Sequence, residues 1–89
     1  MAESQKTDKM TLEIITPDKK VYSGDVTAVT FPGSKGRFQV LKDHAPLVST
    51  LAKGDLVIEA AGKNETFVVD GGVVEVQNNK ILVLAEVVL

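Results

Sequence analysis

Along most of the chain, Val, Ile, Leu and Thr alternate with polar residues in runs too short and too regular to be helices. From Met10 onward the runs are Thr11 to Ile15, Lys19 to Tyr22, Asp25 to Phe31, Arg37 to Leu41, Leu47 to Leu51, Leu56 to Ala60, Glu65 to Asp70, Val73 to Gln77 and Lys80 to Val88. Each closes on Gly, Pro, Asn or Asp, and none carries the i, i+3, i+4 stripe of an amphipathic helix. The punctuating segments are Ser23-Gly24-Asp25, Pro32-Gly33-Ser34-Lys35-Gly36, Lys53-Gly54-Asp55, Ala61-Gly62-Lys63-Asn64, Gly71-Gly72 and Asn78-Asn79. They supply residues that tolerate positive φ or preset a turn. Turns spaced about 8 to 12 residues apart predict an all-β sandwich or barrel.

The pleat assigns faces. Val26 and Ala28 lie on one side and Thr27 and Val29 on the other, while Ile81, Val83, Ala85 and Val87 oppose Leu82, Leu84 and Glu86. The last strand is thus apolar on both faces. It either runs through the middle of the packed structure or offers its second face to another protein, because monomers seldom expose a large apolar patch.

Composition narrows the class. The 89 residues suffice for one domain with one modest core, and 44% hydrophobic with 25% charged residues is ordinary for a folded soluble domain. There is no cysteine, which removes disulfides, thiolate zinc sites and cysteine nucleophiles. A net charge of -2 with interspersed signs provides no footprint for nucleic acid. No apolar stretch approaches the roughly 20 residues that span a bilayer, so the chain is expected to be cytosolic or peripheral. Met1 to Lys9 is polar and aperiodic and reads as a flexible tail preceding the domain.

Little chemistry is on offer. His44, the sole histidine, lies beside Asp43 and near Ser49, but a serine-type triad needs a nucleophile on a strained turn and an oxyanion hole. The 42–46 loop is better read as shaping a turn or an interface. One imidazole among dispersed carboxylates makes no zinc or calcium set, so no metal is expected. The segment from Pro32 to Gly36 lacks the Gly-Lys-Ser/Thr ending and following helix of a phosphate cradle and reads as a hairpin turn. Phe31, Phe38 and Phe67 read as core. Glu13, Glu59, Glu75 and Glu86 fall at pleat positions that suit a solvated face or an interface rim.

Several segments together carry a resemblance: Ile15-Thr16-Pro17, Val21-Tyr22-Ser23-Gly24, Pro32-Gly33-Ser34-Lys35-Gly36, Asp43-His44-Ala45-Pro46-Leu47, Lys53-Gly54-Asp55-Leu56, Gly71-Gly72-Val73-Val74-Glu75-Val76 and Val83-Leu84-Ala85-Glu86. In this order and spacing, the chain from Met10 to Leu89 resembles the N-terminal domain of the F-type ATP synthase epsilon subunit. The resemblance implies a sandwich of about ten short strands in two five-stranded sheets. It also implies a non-catalytic central-stalk subunit without cofactor, peripheral on the cytoplasmic side of an energy-coupling membrane. Such a subunit couples the gamma subunit to the membrane rotor ring of a proton-translocating synthase. Carried onto this chain, the gamma subunit would meet Thr16, His44, Ala45, Pro46, Leu47 and Ser49, and the ring would meet the turn of Lys35, Gly36 and Arg37.

Two departures accompany the likeness. Family members usually continue into a pair of helices that can restrain ATP hydrolysis and in some members bind ATP, whereas this sequence stops at Leu89. Neither property is therefore expected here. The turn after Gly33 commonly carries acids in the family, but here it carries Lys35 and Arg37, so its partner on the ring would need matching charge. Three other readings compete: a swinging-arm biotinyl or lipoyl carrier with Lys42 as the modified lysine, a small hydrolase around His44, and a generic β-sandwich binding module.

Overall fold

The computed structural model describes residues 9–89, and every regular element among them is a β-strand. The strands are β1 (Met10–Ile15), β2 (Lys20–Val26), β3 (Ala28–Gly33), β4 (Gly36–Leu41), β5 (Leu47–Leu51), β6 (Gly54–Ala60), β7 (Lys63–Gln77) and β8 (Lys80–Val88). Of the expected tail, Met1 to Lys9, only the exposed Lys9 falls among the described residues.

Two layers form because β7 serves both. Its second half pairs with β5 through Val73 to Val76 and with β8, which runs parallel to β1, itself antiparallel to β2. Its first half pairs with β6 from Ala60↔Lys63 to Gly54↔Val69, β6 pairs with β3, and β3 with β4. One layer therefore holds five strand segments (β2, β1, β8, half of β7, β5) and the other four (half of β7, β6, β3, β4), and the two also meet where Gly33 of β3 pairs with Leu51 of β5. The eight strands reproduce the expected two-layer, all-β architecture with fewer breaks than the turn residues imply.

Those missing breaks have physical causes. Ser23, Gly24 and Asp25, expected to turn, lie inside β2 opposite Glu13, Leu12 and Thr11. The β1 ladder gives their backbone groups partners, and that outweighs local turn preference. Gly71 and Gly72 likewise do not end a strand. With φ of 82° and 137° they twist β7 from one layer into the other, as glycine in a strand often does. The twist also changes which parity faces inward: Val74 is buried below it and Val69 above. Neighbouring β8 follows, so Val88, opposite Val69, packs on the core while Val87 is 45% exposed, contrary to simple alternation.

A break does occur where none was expected, inside the run Asp25 to Phe31. At Thr27 the chain passes from β2 in one layer to β3 in the other. Its backbone N–H and its hydroxyl both donate to the Glu59 carbonyl, at 2.8 and 3.0 Å. Around this corner Val26, Ala28 and Val29 are all buried.

Between the layers lies one core. Leu12 and Ile14 of β1, Val74 and Val76 of β7 and Ile81, Val83 and Ala85 of β8 meet Val29 and Phe31 of β3, Val40 of β4 and Leu56 and Ile58 of β6. Each fully buried side chain of this size contributes about 1.5–3 kcal/mol through burial. Phe31 is fully buried with its ring 5.4 Å from that of Phe38, directly opposite on β4. Tyr22 and Phe67, in edge-to-face contact at 5.9 Å, pack against the core between β2 and β7. No polar or charged side chain among the described residues is buried.

Candidate functional site

The 42–46 loop joins β4 to β5. His44 N–H donates to the Leu41 carbonyl at 3.1 Å, closing a turn in which Asp43 takes φ 65°. Asp43 N–H donates to Asn79 Oδ1 at 2.7 Å, and Asn79 Nδ2 returns a bond to Asp43 Oδ1 at 3.1 Å. The β7–β8 turn, whose Asn78 and Asn79 both have positive φ as a two-residue hairpin of type I′ requires, therefore holds the loop. Ala45 and Pro46 are exposed, while Leu47 is half-buried and packs on the core.

No triad is assembled here. His44 Nδ1 lies 2.7 Å from the Ala45 carbonyl, and Ser49 Oγ donates to the Thr50 carbonyl at 3.1 Å. The serine hydroxyl is directed at a backbone carbonyl and makes no bond to His44, so the nucleophile–base pair of a triad is not formed. Lys42, the alternative carrier lysine, is half-buried in the turn from Leu41 to His44 rather than displayed at a hairpin tip. Among the described residues, no three or more His, Asp or Glu side chains gather where they could hold a metal ion.

Lys35, Gly36 and Arg37 stay together. Gly33 pairs with Gly36 to make a two-residue hairpin of Ser34 and Lys35, as the sequence predicts. Ser34 N–H donates to the Thr50 carbonyl at 3.0 Å, and Thr50 Oγ1 donates to Ser34 Oγ at 2.7 Å, so β5 steadies the hairpin. Arg37 donates from Nη1 to the Asp55 carbonyl at 2.9 Å, tying the hairpin to β6 and leaving its other donors free of that bond. Ser49 lines a shallow hollow with Lys35, Gly36, Arg37 and Phe38. It thus adjoins the residues assigned to the ring as closely as those assigned to gamma.

Thr16 lies apart from His44. It follows Ile15, which pairs with Leu84, whereas the Asn79 side of the sheet is reached at Thr11, five residues earlier on β1. That separation along the strand is roughly 16 Å. Thr16 instead borders a small apolar hollow with Ile15, Pro17, Leu84 and Glu86.

Between Thr16 and β5 lies the outer face of the five-segment layer. Register places Ile15 beside Leu84, Leu84 beside Val73 and Val73 beside Thr50, an almost unbroken apolar row across four strands. The next row runs Glu13, Leu82, Glu75 and Val48. Leu84 is 49% and Val48 69% exposed. Three strand spacings separate β1 from β5, roughly 14 Å, so Thr16 marks one border of the face and Val48 and Thr50 the other, while Leu47 and Ser49, opposite the buried Val76 and Val74, lie on the inner side of the pleat. Glu13, held by Lys20 Nζ at 3.2 Å, and the exposed Glu75 and Glu86 surround the apolar centre. Glu59 sits elsewhere, half-buried at the Thr27 corner. Sequence reasoning flagged the two-sided apolarity of β8 but not Ile15, Val73 and Val48, because cross-strand register is invisible in one chain's alternation.

A two-layer sandwich that keeps its apolar interior on one side of a sheet and exposes a second apolar surface on the other has the kind of surface that marks protein contacts. The chain belongs to the family described as ATP synthase, Delta/Epsilon chain, beta-sandwich domain, which it matches over residues 9–89. It is 46% identical over 82 residues to the ATP synthase epsilon chain of Pelotomaculum thermopropionicum, covering 92% of this chain and 60% of that one. It is 44% identical over 87 residues to the epsilon chain of Chlorobium limicola, covering 97% of each. The chain thus spans little more than half of some relatives and nearly all of others. In solved structures its fold is similar to a chain of the Euglena gracilis mitochondrial ATP synthase OSCP/F1/c-ring assembly. There the TM-score is 0.87 at 24% identity, over 93% of this chain and 54% of that one. A chain of the Tetrahymena thermophila mitochondrial ATP synthase central stalk and c-ring gives a TM-score of 0.76 at 20% identity, over 94% and 68%.

Proposed function

We propose that this chain is a central-stalk rotor subunit of a proton-translocating F-type ATP synthase. It couples the gamma subunit to the membrane rotor ring from the cytoplasmic side and makes or breaks no bond itself. The observation that carries this reading is the apolar row Ile15, Leu84, Val73 and Thr50 on the outer face of a sheet in a domain of the epsilon family. A hydrophobic centre with a polar rim is the usual anatomy of a protein interface. The gamma subunit covers this face from Thr16 at one border and also meets His44, Ala45, Pro46, Leu47 and Ser49 along the β5 side. The ring meets the hairpin of Lys35, Gly36 and Arg37, where exposed cations favour an acidic or polar loop.

The test is a binding titration with the recombinant gamma subunit of the same complex, comparing the parent with Leu84→Glu. Leu84 is half exposed, so the variant keeps the parent's melting temperature to within a few degrees. A charge buried at the centre of the contact weakens association by about 2 kcal/mol or more, roughly thirtyfold. Parent-like affinity in Leu84→Glu removes this face from the gamma contact. A parent chain that does not bind gamma overturns the reading.

A further inference from the structure

We infer that Asp43 and Asn79 are a positioning pair that fixes the shape of the 42–46 loop for docking, an inference that rests on the reading of that loop as gamma-facing. Each residue sits where a glycine would be at ease, Asp43 at φ 65° and Asn79 at φ 60°. Residues with side chains are strained in the left-handed region, and Asp and Asn tolerate it best because they can bond locally. Here the two side chains do more than satisfy their own turns. Asn79 Oδ1 accepts the Asp43 N–H at 2.7 Å, and Asn79 Nδ2 donates to Asp43 Oδ1 at 3.1 Å, a reciprocal clasp across 36 residues of sequence.

The clasp matters because the loop has few other restraints. Its remaining backbone bond, His44 N–H to Leu41, is local. Pro46 has no N–H to give, and Ala45 and Pro46 are exposed. Among the described residues, the hydrogen bonds that tie the loop to a distant part of the fold are the two to Asn79. Asn79 is a firm anchor. It is half-buried, and its carbonyl accepts the Thr11 N–H at 3.0 Å, which locks it to the start of β1. The orientation of His44, Ala45 and Pro46 is thereby set by the turn between β7 and β8. A loop shaped before the partner arrives loses less freedom on binding, which shows as affinity.

Glycine substitutions separate this role from a merely structural one, because glycine accepts both φ values while removing the bonds. Asp43→Gly and Asn79→Gly keep melting temperatures close to the parent's and each weaken gamma binding about fivefold. The double variant is no weaker than either single one, whereas Asp43→Asn, which retains an acceptor oxygen, binds as the parent does. Amide hydrogen exchange supplies a readout independent of gamma: the Asp43 N–H is protected in the parent and exposed to exchange in Asn79→Gly. Equal Asp43 exchange in parent and Asn79→Gly overturns the clasp. Parent-like gamma affinity in Asp43→Gly overturns its positioning role even where the clasp exists. If the parent itself does not bind gamma, the partner assignment and the docking role fail together, and Asp43 exchange still decides whether the clasp forms.

Discussion

Replacing Gly72 by alanine tests whether the crossing of β7 between layers depends on the absence of a side chain. A Cβ at Gly72 would meet the Leu84 carbonyl oxygen at 2.4 Å and Ala85 Cα at 2.9 Å, both backbone atoms of the neighbouring strand. Neither can swing aside as a side-chain tip could. Its φ of 137° adds strain, about 1–3 kcal/mol for a residue forced outside the common regions. Relieving the contact by shifting β8 adds about 1–3 kcal/mol, the usual cost of overpacking. The sum, about 4 kcal/mol, is a large share of the stability of a domain of this size. At about 4–8 °C per kcal/mol it lowers the melting temperature by about 20 °C. Gly62→Ala is the control, since Gly62 also has positive φ, 77°, but a Cβ there would meet nothing within 4 Å. That variant loses about 1 kcal/mol from strain alone, roughly 5 °C. Calorimetric melting of the two variants decides the matter. If Gly72→Ala melts within a few degrees of Gly62→Ala, the approach of β8 is not what requires glycine.

Two further outcomes follow from contacts already described. Phe31→Ala empties the fully buried position opposite Phe38 and destabilises the domain by about 3–5 kcal/mol in denaturant titration; a loss below about 1 kcal/mol would mean that Phe31 does not anchor the core. At the hairpin, Arg37→Glu breaks the bond to the Asp55 carbonyl and costs about 1 kcal/mol. Lys35→Glu leaves stability unchanged but alters the salt dependence of ring association, as a rim charge does. Equal melting temperatures for the two hairpin variants would show that the arginine does not brace β6.

Much of the fold was legible because turns in this chain announce themselves locally. Asn78-Asn79 and Ala61-Gly62 both form positive-φ hairpins, which the asparagines and Gly62 suit and which Ala61 enters at φ 52°. Glycine was ambiguous, since the same residue that ends a strand also permits a strand to twist, and only the partner strand chooses. Ser23-Gly24-Asp25 and Gly71-Gly72 were resolved as strand by ladders to β1 and β8, contacts that no local pattern encodes. The site divided in the same way. The hairpin of Lys35, Gly36 and Arg37 is contiguous in sequence and remained one unit. Thr16 and His44, assigned to one partner, proved to lie toward opposite ends of β1, Thr16 following its last residue and the His44 loop tied to Asn79 beside Thr11. Asn79 read as a turn residue because its bonds to Asp43 span most of the C-terminal half of the chain.

The passage of β7 through both layers decides how a push on one side of the molecule reaches the other. In a sandwich whose sheets share no strand, the layers are joined by side-chain contacts, which yield to sliding one rotamer at a time. Here the β3–β4 hairpin is joined to the sheet that carries Leu84 directly through its bonds to β5 and, by a second route, through the β6 ladder into the first half of β7 and along its unbroken backbone. Sliding the layers past each other would require rows of backbone hydrogen bonds to part together. The two layers are therefore tied by continuous backbone and its hydrogen bonds as well as by side-chain packing.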